Sequence, residues 1–315
     1  MNVVFLYNDP HAVHDAWAKS IDAKFLSFAP EWTKNNGIIM HAIAILKGLI
    51  MPKADVYLIE SPMMATALLI PSFFRKFNIV AINSDPFFIA RKSFNTITKK
   101  IFDTACKRID AYVSTSKIMD ENIPWNKKRT IVPPFADIQR FEKITPANNS
   151  DICFIGPHLN INKGTDRLVA LFRTVKKTLN NKLYLVGELQ PELEWIKKEK
   201  DVTVTGRMKS PEQILNKCGI YANMARLEPA GVNIIEAMAA GFTPIVTEMC
   251  GFKEEVRKIS PELVINTPEQ AIKAIDFVIQ HQQELGHKSA RIAKEFSKEK
   301  IVQKFKKAFA YALKP

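Results

Sequence analysis

Two glutamates around a glycine turn carry the clearest chemistry in this chain. The stretch Arg226-Leu227-Glu228-Pro229-Ala230-Gly231-Val232-Asn233-Ile234-Ile235-Glu236-Ala237-Met238-Ala239-Ala240-Gly241 reads as a Pro-Ala-Gly loop running into an apolar helix that Gly241 closes. The first turn of such a helix, at Gly231, Val232 and Asn233, offers an anion backbone N–H groups without intrahelical partners and the positive end of the helix dipole. Glu236 lies about five residues into the helix, roughly 7 Å along its axis from Gly231. That is a step from a bound phosphate to the sugar of a nucleotide, where a carboxylate accepts hydrogen bonds from a vicinal diol. Glu228, ahead of the helix, would face whatever hangs from the phosphate on the other side. The plainer reading is an ordinary helix start, with Glu228 solvating a loop and Gly241 as a cap.

Taken with its proline, both glycines and the run Thr243-Pro244-Ile245-Val246-Thr247 leading to Gly251, the segment resembles the donor site of the retaining glycosyltransferase family 4. The signature of that family is two glutamates separated by seven residues. The resemblance implies an α/β protein of the GT-B fold, two Rossmann-like doubly wound parallel-sheet domains facing a cleft. It implies a hexosyltransferase-type enzyme that moves a sugar from a nucleotide-diphosphate donor to a hydroxyl acceptor, a glycan or a lipid-linked one, with retention at the anomeric carbon.

Further family features recur in order. Ile155-Gly156-Pro157-His158-Leu159-Asn160-Ile161-Asn162-Lys163-Gly164 resembles the loop in which an Arg and a Lys clamp the donor diphosphate. Two phosphates and a leaving nucleotide require cations nearby. Lys163 and Gly164 match the Lys-Gly pair. The Arg is missing, with Pro157 or His158 in its region. Arg207, after the apolar run 202–206, could supply a second cation, or could be simply solvated. The donor contacts implied are Gly156, His158, Lys163, Arg207, Glu228, Gly231, Val232, Asn233 and Glu236. Beyond Thr247 only half of a family Gly-Gly-x-x-Glu remains: Cys250 replaces the first glycine, and Glu254 reads equally well as a helix-start carboxylate.

The first half of the chain matches less closely. Family members carry a Gly-Gly loop after the first strand, where this chain has Tyr7-Asn8-Asp9-Pro10-His11-Ala12-Val13-His14 and no glycine. A His at a later strand end is replaced by Asn83 or Ser84, while Asp85-Pro86 is kept. Asp85 joins Glu228 as a candidate catalytic residue, and His11 and His14 are acceptor-side candidates or plain solvated loop histidines. No Asp-x-Asp occurs, so no metal clamp and no resident cofactor are expected; the nucleotide sugar is a cosubstrate. With no nucleophile evident, Glu228 reads as orienting sugar hydroxyls.

The elements that must hold these residues alternate. Short apolar runs at 2–7, 54–59, 79–83 and 111–114 are separated by helical spacing at 41–49 and 97–109. A second series runs through 152–156, 183–187, 202–206, 220–223 and 244–247. This is the pattern of parallel sheets wrapped by helices. A Pro-Ala-Asn-Asn-Ser linker at 146–150 separates a domain at 1–145 from a donor domain at 150–299, and a last helix at about 300–315 resembles the family helix that completes the first domain. A chain of 315 residues suits two domains.

Composition adds an anionic partner. The formal net charge is +13, and between Arg75 and Arg129 twelve Lys and Arg face five Asp and Glu, with Phe73 and Phe74 just ahead of the segment and Phe77, Phe87, Phe88, Phe94 and Phe102 within it. Such a surface suits anionic lipid, or is a solvated face over core phenylalanines. Nucleic acid is not expected, because no recognition motif accompanies the charge. Cys106, Cys153, Cys218 and Cys250 are scattered, as in a reduced cytoplasmic protein. The apolar stretches 42–51 and 62–74 are too short to span a membrane and read as buried helices, which leaves peripheral contact at an inner membrane face. The competing readings are a non-catalytic nucleotide-sugar binder and another GT-B enzyme such as an epimerase.

Overall fold

The computed structural model describes residues 1–8, 11–28 and 38–314; Asp9 and Pro10 of the first loop lie outside the described residues. The chain divides into two compact units, Met1–Pro134 with Glu299–Pro315 and Phe135–Lys298. Each is an α/β unit built on a six-stranded parallel sheet, the two Rossmann-like halves that the alternation of apolar runs led us to expect.

The first unit contains β1 (Val3–Tyr7), β2 (Lys24–Ser27), β3 (Val56–Ile59), β4 (Asn78–Asn83), β5 (Ala111–Ser114) and β6 (Lys128–Ile131), in the order β2-β1-β3-β4-β5-β6. All four residues of β3 and of β5 are buried. A parallel strand covered on both faces needs apolar side chains at every position, so these runs are continuous rather than alternating. The edge strands β2 and β6 are largely exposed, and their mixed composition gives no such signal. Residues 24–27 were therefore not legible as a strand. The helix Lys298–Ala312 packs on this unit: Phe305 stacks on Trp17 with ring centroids 4.8 Å apart and planes 7° from parallel.

The second unit contains β7 (Ile152–Leu159), β8 (Leu183–Leu189), β9 (Val202–Val204), β10 (Ile220–Asn223), β11 (Pro244–Thr247) and β12 (Val264–Ile265), in the order β12-β11-β10-β7-β8-β9. β7 runs three residues further than its apolar core suggests. It passes Pro157 through a register shift against β8 between Ile155 and His158, which absorbs the missing N–H.

Doubly wound sheets hold ligands outside the carboxyl ends of their strands, at the point where the strand order reverses. In the first sheet that point lies between β1 and β3, in the second between β7 and β10. The loops after β7 and β10 carry Lys163 and the Glu228–Gly231 turn.

The two apolar stretches expected to be buried helices are buried only in part. Residues 62–74 form a buried 3-10 helix, Pro62–Leu68, then a short helix, Pro71–Phe74, whose Phe73 and Phe74 are 61% and 82% exposed. The helix Ile38–Gly48 buries Ala44, while its Leu46 and the following turn residues Leu49 and Ile50 stay exposed. Among the described residues no helix is long and apolar enough to cross a membrane.

Candidate functional site

Gly231 sits at the N-cap of the helix Val232–Ala239 in the left-handed region, φ 65° and ψ 39°. A Cβ there would stand 2.9 Å from Ile234 Cδ1 and 3.3 Å from Glu228 Cγ. Glycine alone takes that conformation without strain. No side chain caps this helix, so its leading N–H groups are left for an anion. Asn233 donates from Nδ2 to the Ile155 carbonyl at 2.6 Å and so ties the helix start to β7. Its Oδ1 is buried without a partner.

Glu228 is 5% exposed. Its backbone N–H donates to the Met249 carbonyl at 2.9 Å, and its carbonyl accepts from Gly251 N at 2.8 Å, which joins the loops after β10 and β11. Lys163 donates from Nζ to Glu228 Oε2 at 2.6 Å. A cation and a carboxylate singled out separately in the sequence are thus direct partners in the free protein. Gly164 explains how Lys163 is placed. At φ +65° it caps the helix Thr165–Val175, and a Cβ on it would fall 1.8 Å from the Met224 carbonyl oxygen. Only glycine lets the loop after β7 lie that close to the loop after β10.

Arg226, quoted above without a role, fastens the same two loops. Its guanidinium donates to the Ile161 carbonyl at 2.6 Å and to both Asp166 oxygens at 2.7 Å. That bidentate pair holds the Asp166 carboxyl below its usual range. A lone Arg three residues past an apolar strand was its sequence signal.

Glu236 lies one helical turn beyond Gly231 and is half-buried. Desolvation in its recess pushes its pKa up to about 7; nearby Arg140 acts against the rise and Asp137 with it. Arg140 is itself spent on Glu212 and on the Lys209 carbonyl. Glu236 is therefore poised to be ionised by any ligand that donates hydrogen bonds to it.

His158 and Arg207 meet on the exposed rim of the same strand ends. Arg207 Nη2 lies 3.1 Å from His158 Nε2 and 3.1 Å from Glu188 Oε2. Gly156 lies beneath, its carbonyl 2.0 Å from where a Cβ on Gly187 would be. Glu254 falls in the first turn of the helix Lys253–Ile259 and pairs with Arg257 at 2.9 Å.

In the first unit, three titratable side chains converge at the ends of β1, β3 and β4. His14 lies in the helix Ala12–Ser20 rather than in a loop, and is 8% exposed. Its Nδ1 is 3.2 Å from Glu60 Oε1, while Glu60 Oε2 accepts from Asn8 N at 2.9 Å. Burial pushes the Glu60 carboxyl up, but the hydrogen bonds from His14 and the backbone outweigh it and leave the pKa low. Asp85 is pushed the other way, mainly by burial and further by Glu60, with His14 opposing. His11 is exposed, its ring 6.1 Å from that of His14. Glu60 was missed in the sequence; a carboxylate ending a wholly apolar strand was the available signal. Among the described residues no three His, Cys, Asp or Glu side chains are grouped to hold a metal ion.

The family described as Glycosyl transferases group 1 matches residues 136–308. No curated protein matches the sequence. HepE from Anabaena, solved with UDP and glucose, superposes with a TM-score of 0.76 at 16% identity, covering 99% of this chain and 100% of that one. A sucrose-phosphate synthase from Thermosynechococcus elongatus gives a TM-score of 0.76 at 12% identity, over 99% and 98% of the two chains. WaaG, described as a glycosyltransferase of lipopolysaccharide biosynthesis, gives 0.70 at 12% identity, over 96% and 98%. At such identities the likeness shows the fold, which is GT-B.

Proposed function

The chain belongs to the glycosyl transferases group 1 family, and we propose that it moves a sugar from a nucleoside-diphosphate donor to a hydroxyl acceptor with retention at the anomeric carbon, as in family 4. The observation that carries this reading is the junction at Gly231. An uncapped helix start, a buried Glu228 paired with Lys163 and a half-buried Glu236 lie within one loop and one helical turn. The diphosphate takes the open N–H groups of Val232 and Asn233 and draws Lys163 away from Glu228. Glu236 accepts the ribose hydroxyls. Glu228, released from Lys163, accepts hydroxyls of the sugar to be transferred. HepE was solved with UDP-glucose, which favours a uridine donor as the first to try.

In the transfer itself, the anomeric C–O bond to the diphosphate breaks and the acceptor oxygen bonds to that carbon on the face the diphosphate leaves. The acceptor proton passes to the departing phosphate oxygen. Lys163 and the helix dipole meet the charge that grows on the leaving group. Side-chain cations and the helix take the role a metal clamp would have. His14, held by Glu60, and Asp85 are the acceptor-side groups, with His11 beside them. Glu228, paired with Lys163 in the free protein, acts by orientation, its carboxylate accepting the sugar hydroxyls once Lys163 has turned to the diphosphate.

Release of nucleoside diphosphate, measured with a panel of sugar nucleotides and a lipid extract, tests the reading. A transferase releases it with both present. A binder without catalysis releases none, and an epimerase interconverts the sugar while the nucleotide stays attached.

A further inference from the structure

Five exposed apolar side chains of the first unit lie where its strands begin, at the amino-end edge of the sheet. Phe73 and Phe74 lie shortly before β4, and Leu46, in the last turn of the helix Ile38–Gly48, with Leu49 and Ile50 in the turn after it, stands where the chain returns to the start of β3. They are 61%, 82%, 64%, 52% and 84% exposed. The two groups belong to one surface. Gly48 packs so closely on Ala67 that a Cβ would fall 1.8 Å from its carbonyl oxygen, and Arg75 donates to the Met51 carbonyl at 2.9 Å.

The same edge is strongly basic. A recess at the starts of β3 to β6 is lined by Arg75, Lys76, Lys107, Arg108 and Lys127, against Asp55 and Asp110. Both aspartates are already occupied by backbone N–H groups, Asp55 by Asn2 at 2.6 Å and Asp110 by Ile79 at 2.7 Å. Arg108 lies over the Phe73 ring, 4.4 Å from its centroid, so cation and aromatic are presented together.

We propose that this edge docks on an anionic lipid bilayer, with Phe73, Phe74, Leu49 and Ile50 entering the interface and the cations of the recess holding phosphate headgroups. Apolar burial and electrostatic attraction act together in such docking, and neither alone is strong. The charge complementarity favours an anionic surface over a second copy of this basic chain. The edge lies at the amino ends of the strands, whereas His14, Glu60 and Asp85 lie at the carboxyl ends. Strands of four to six residues set those ends about 13–20 Å apart. Resting on the proposed transferase function, the docking thus suits an acceptor whose hydroxyl stands away from the bilayer, such as a lipid-linked oligosaccharide rather than a bare lipid.

Sedimentation of the full chain with phosphatidylglycerol-containing and with pure phosphatidylcholine vesicles tests the proposal. The wild type is expected to bind the anionic vesicles, and to release as salt rises from about 50 mM to about 500 mM. Phe73→Ser/Phe74→Ser should lose about tenfold or more in binding. Lys76→Gln/Arg108→Gln should lose the preference for anionic lipid. Both variants must keep the wild-type melting temperature and nucleotide binding, which separates this face from the donor site. Equal binding to both vesicle types would overturn the proposal. So would unchanged binding by the double Phe variant, or binding to duplex DNA or to a second copy of the chain with no binding to vesicles.

Discussion

At the scale of single residues, Glu236 makes the most exacting demand. Its pKa of about 7 in the folded chain exceeds the ordinary 4.5, so ionisation costs stability as pH rises through 7, and the cost vanishes below 4.5. Glu236→Gln should therefore stabilise the protein by about 1–3 kcal/mol near pH 8, with no gain near pH 4. Thermal melts at the two pH values check this, and a destabilised variant at pH 8 would contradict it. In the proposed role at the ribose, the same carboxylate would have to be ionised to accept two hydroxyls. Binding of an intact sugar nucleotide, whose phosphates do not titrate in this range, should weaken by up to about tenfold per pH unit below 7. Glu236→Gln should flatten that slope and cost about 1–3 kcal/mol of affinity at pH 8. A slope that persists in the variant would assign the proton to another group. The placement of Glu228 before the glycine turn and Glu236 inside the following helix was legible from spacing; that Lys163 rests on Glu228 was not, because an ion pair across 65 positions leaves no local trace.

At the scale of elements, the two left-handed glycines differ in what constrains them. At Gly164 an added Cβ meets backbone, the Met224 carbonyl at 1.8 Å, which cannot give way without moving β10's loop. At Gly231 the nearest atom is the far end of the Ile234 side chain at 2.9 Å, which can turn aside. Both substitutions carry the strain of an alanine at positive φ, about 1–3 kcal/mol. Gly164→Ala should then destabilise the second unit clearly more than Gly231→Ala, while Gly231→Ala should impair nucleotide binding out of proportion to its stability. Urea denaturation with parallel nucleotide titrations measures both; equal losses of stability would contradict the contact argument. The central strands were legible because burial on both faces forces continuous apolar runs. The edge strands β2 and β12 were not, since one is half polar and the other two residues long. The exposure of Phe73 and Phe74 was hidden for a related reason: composition shows that a segment is apolar, but only packing shows which face it covers.

At the scale of the whole molecule, the chain's end completes its beginning. Trp17 and Phe305 are both fully buried and stacked across nearly 300 residues of sequence. Phe305→Ala should cost about 3–5 kcal/mol, felt in the first unit. Nucleotide binding by the second unit should survive at temperatures where that variant's first unit has melted; simultaneous loss of both would show that the units do not unfold separately. The two-unit organisation was legible from two successive series of strand-like runs, and the basic surplus from composition alone. The amino-end edge that gathers that surplus was not, because Leu49, Phe74 and Arg108 adjoin only once the sheet is folded. The central claim, that the turn at Gly231 grips a nucleotide diphosphate, is tested most directly by hydrogen exchange with and without each common nucleoside diphosphate. The account predicts that the one that binds slows exchange at Val232 and Asn233 and in the Lys163–Gly164 loop. Protection confined to other segments, with these amides unchanged, would contradict it.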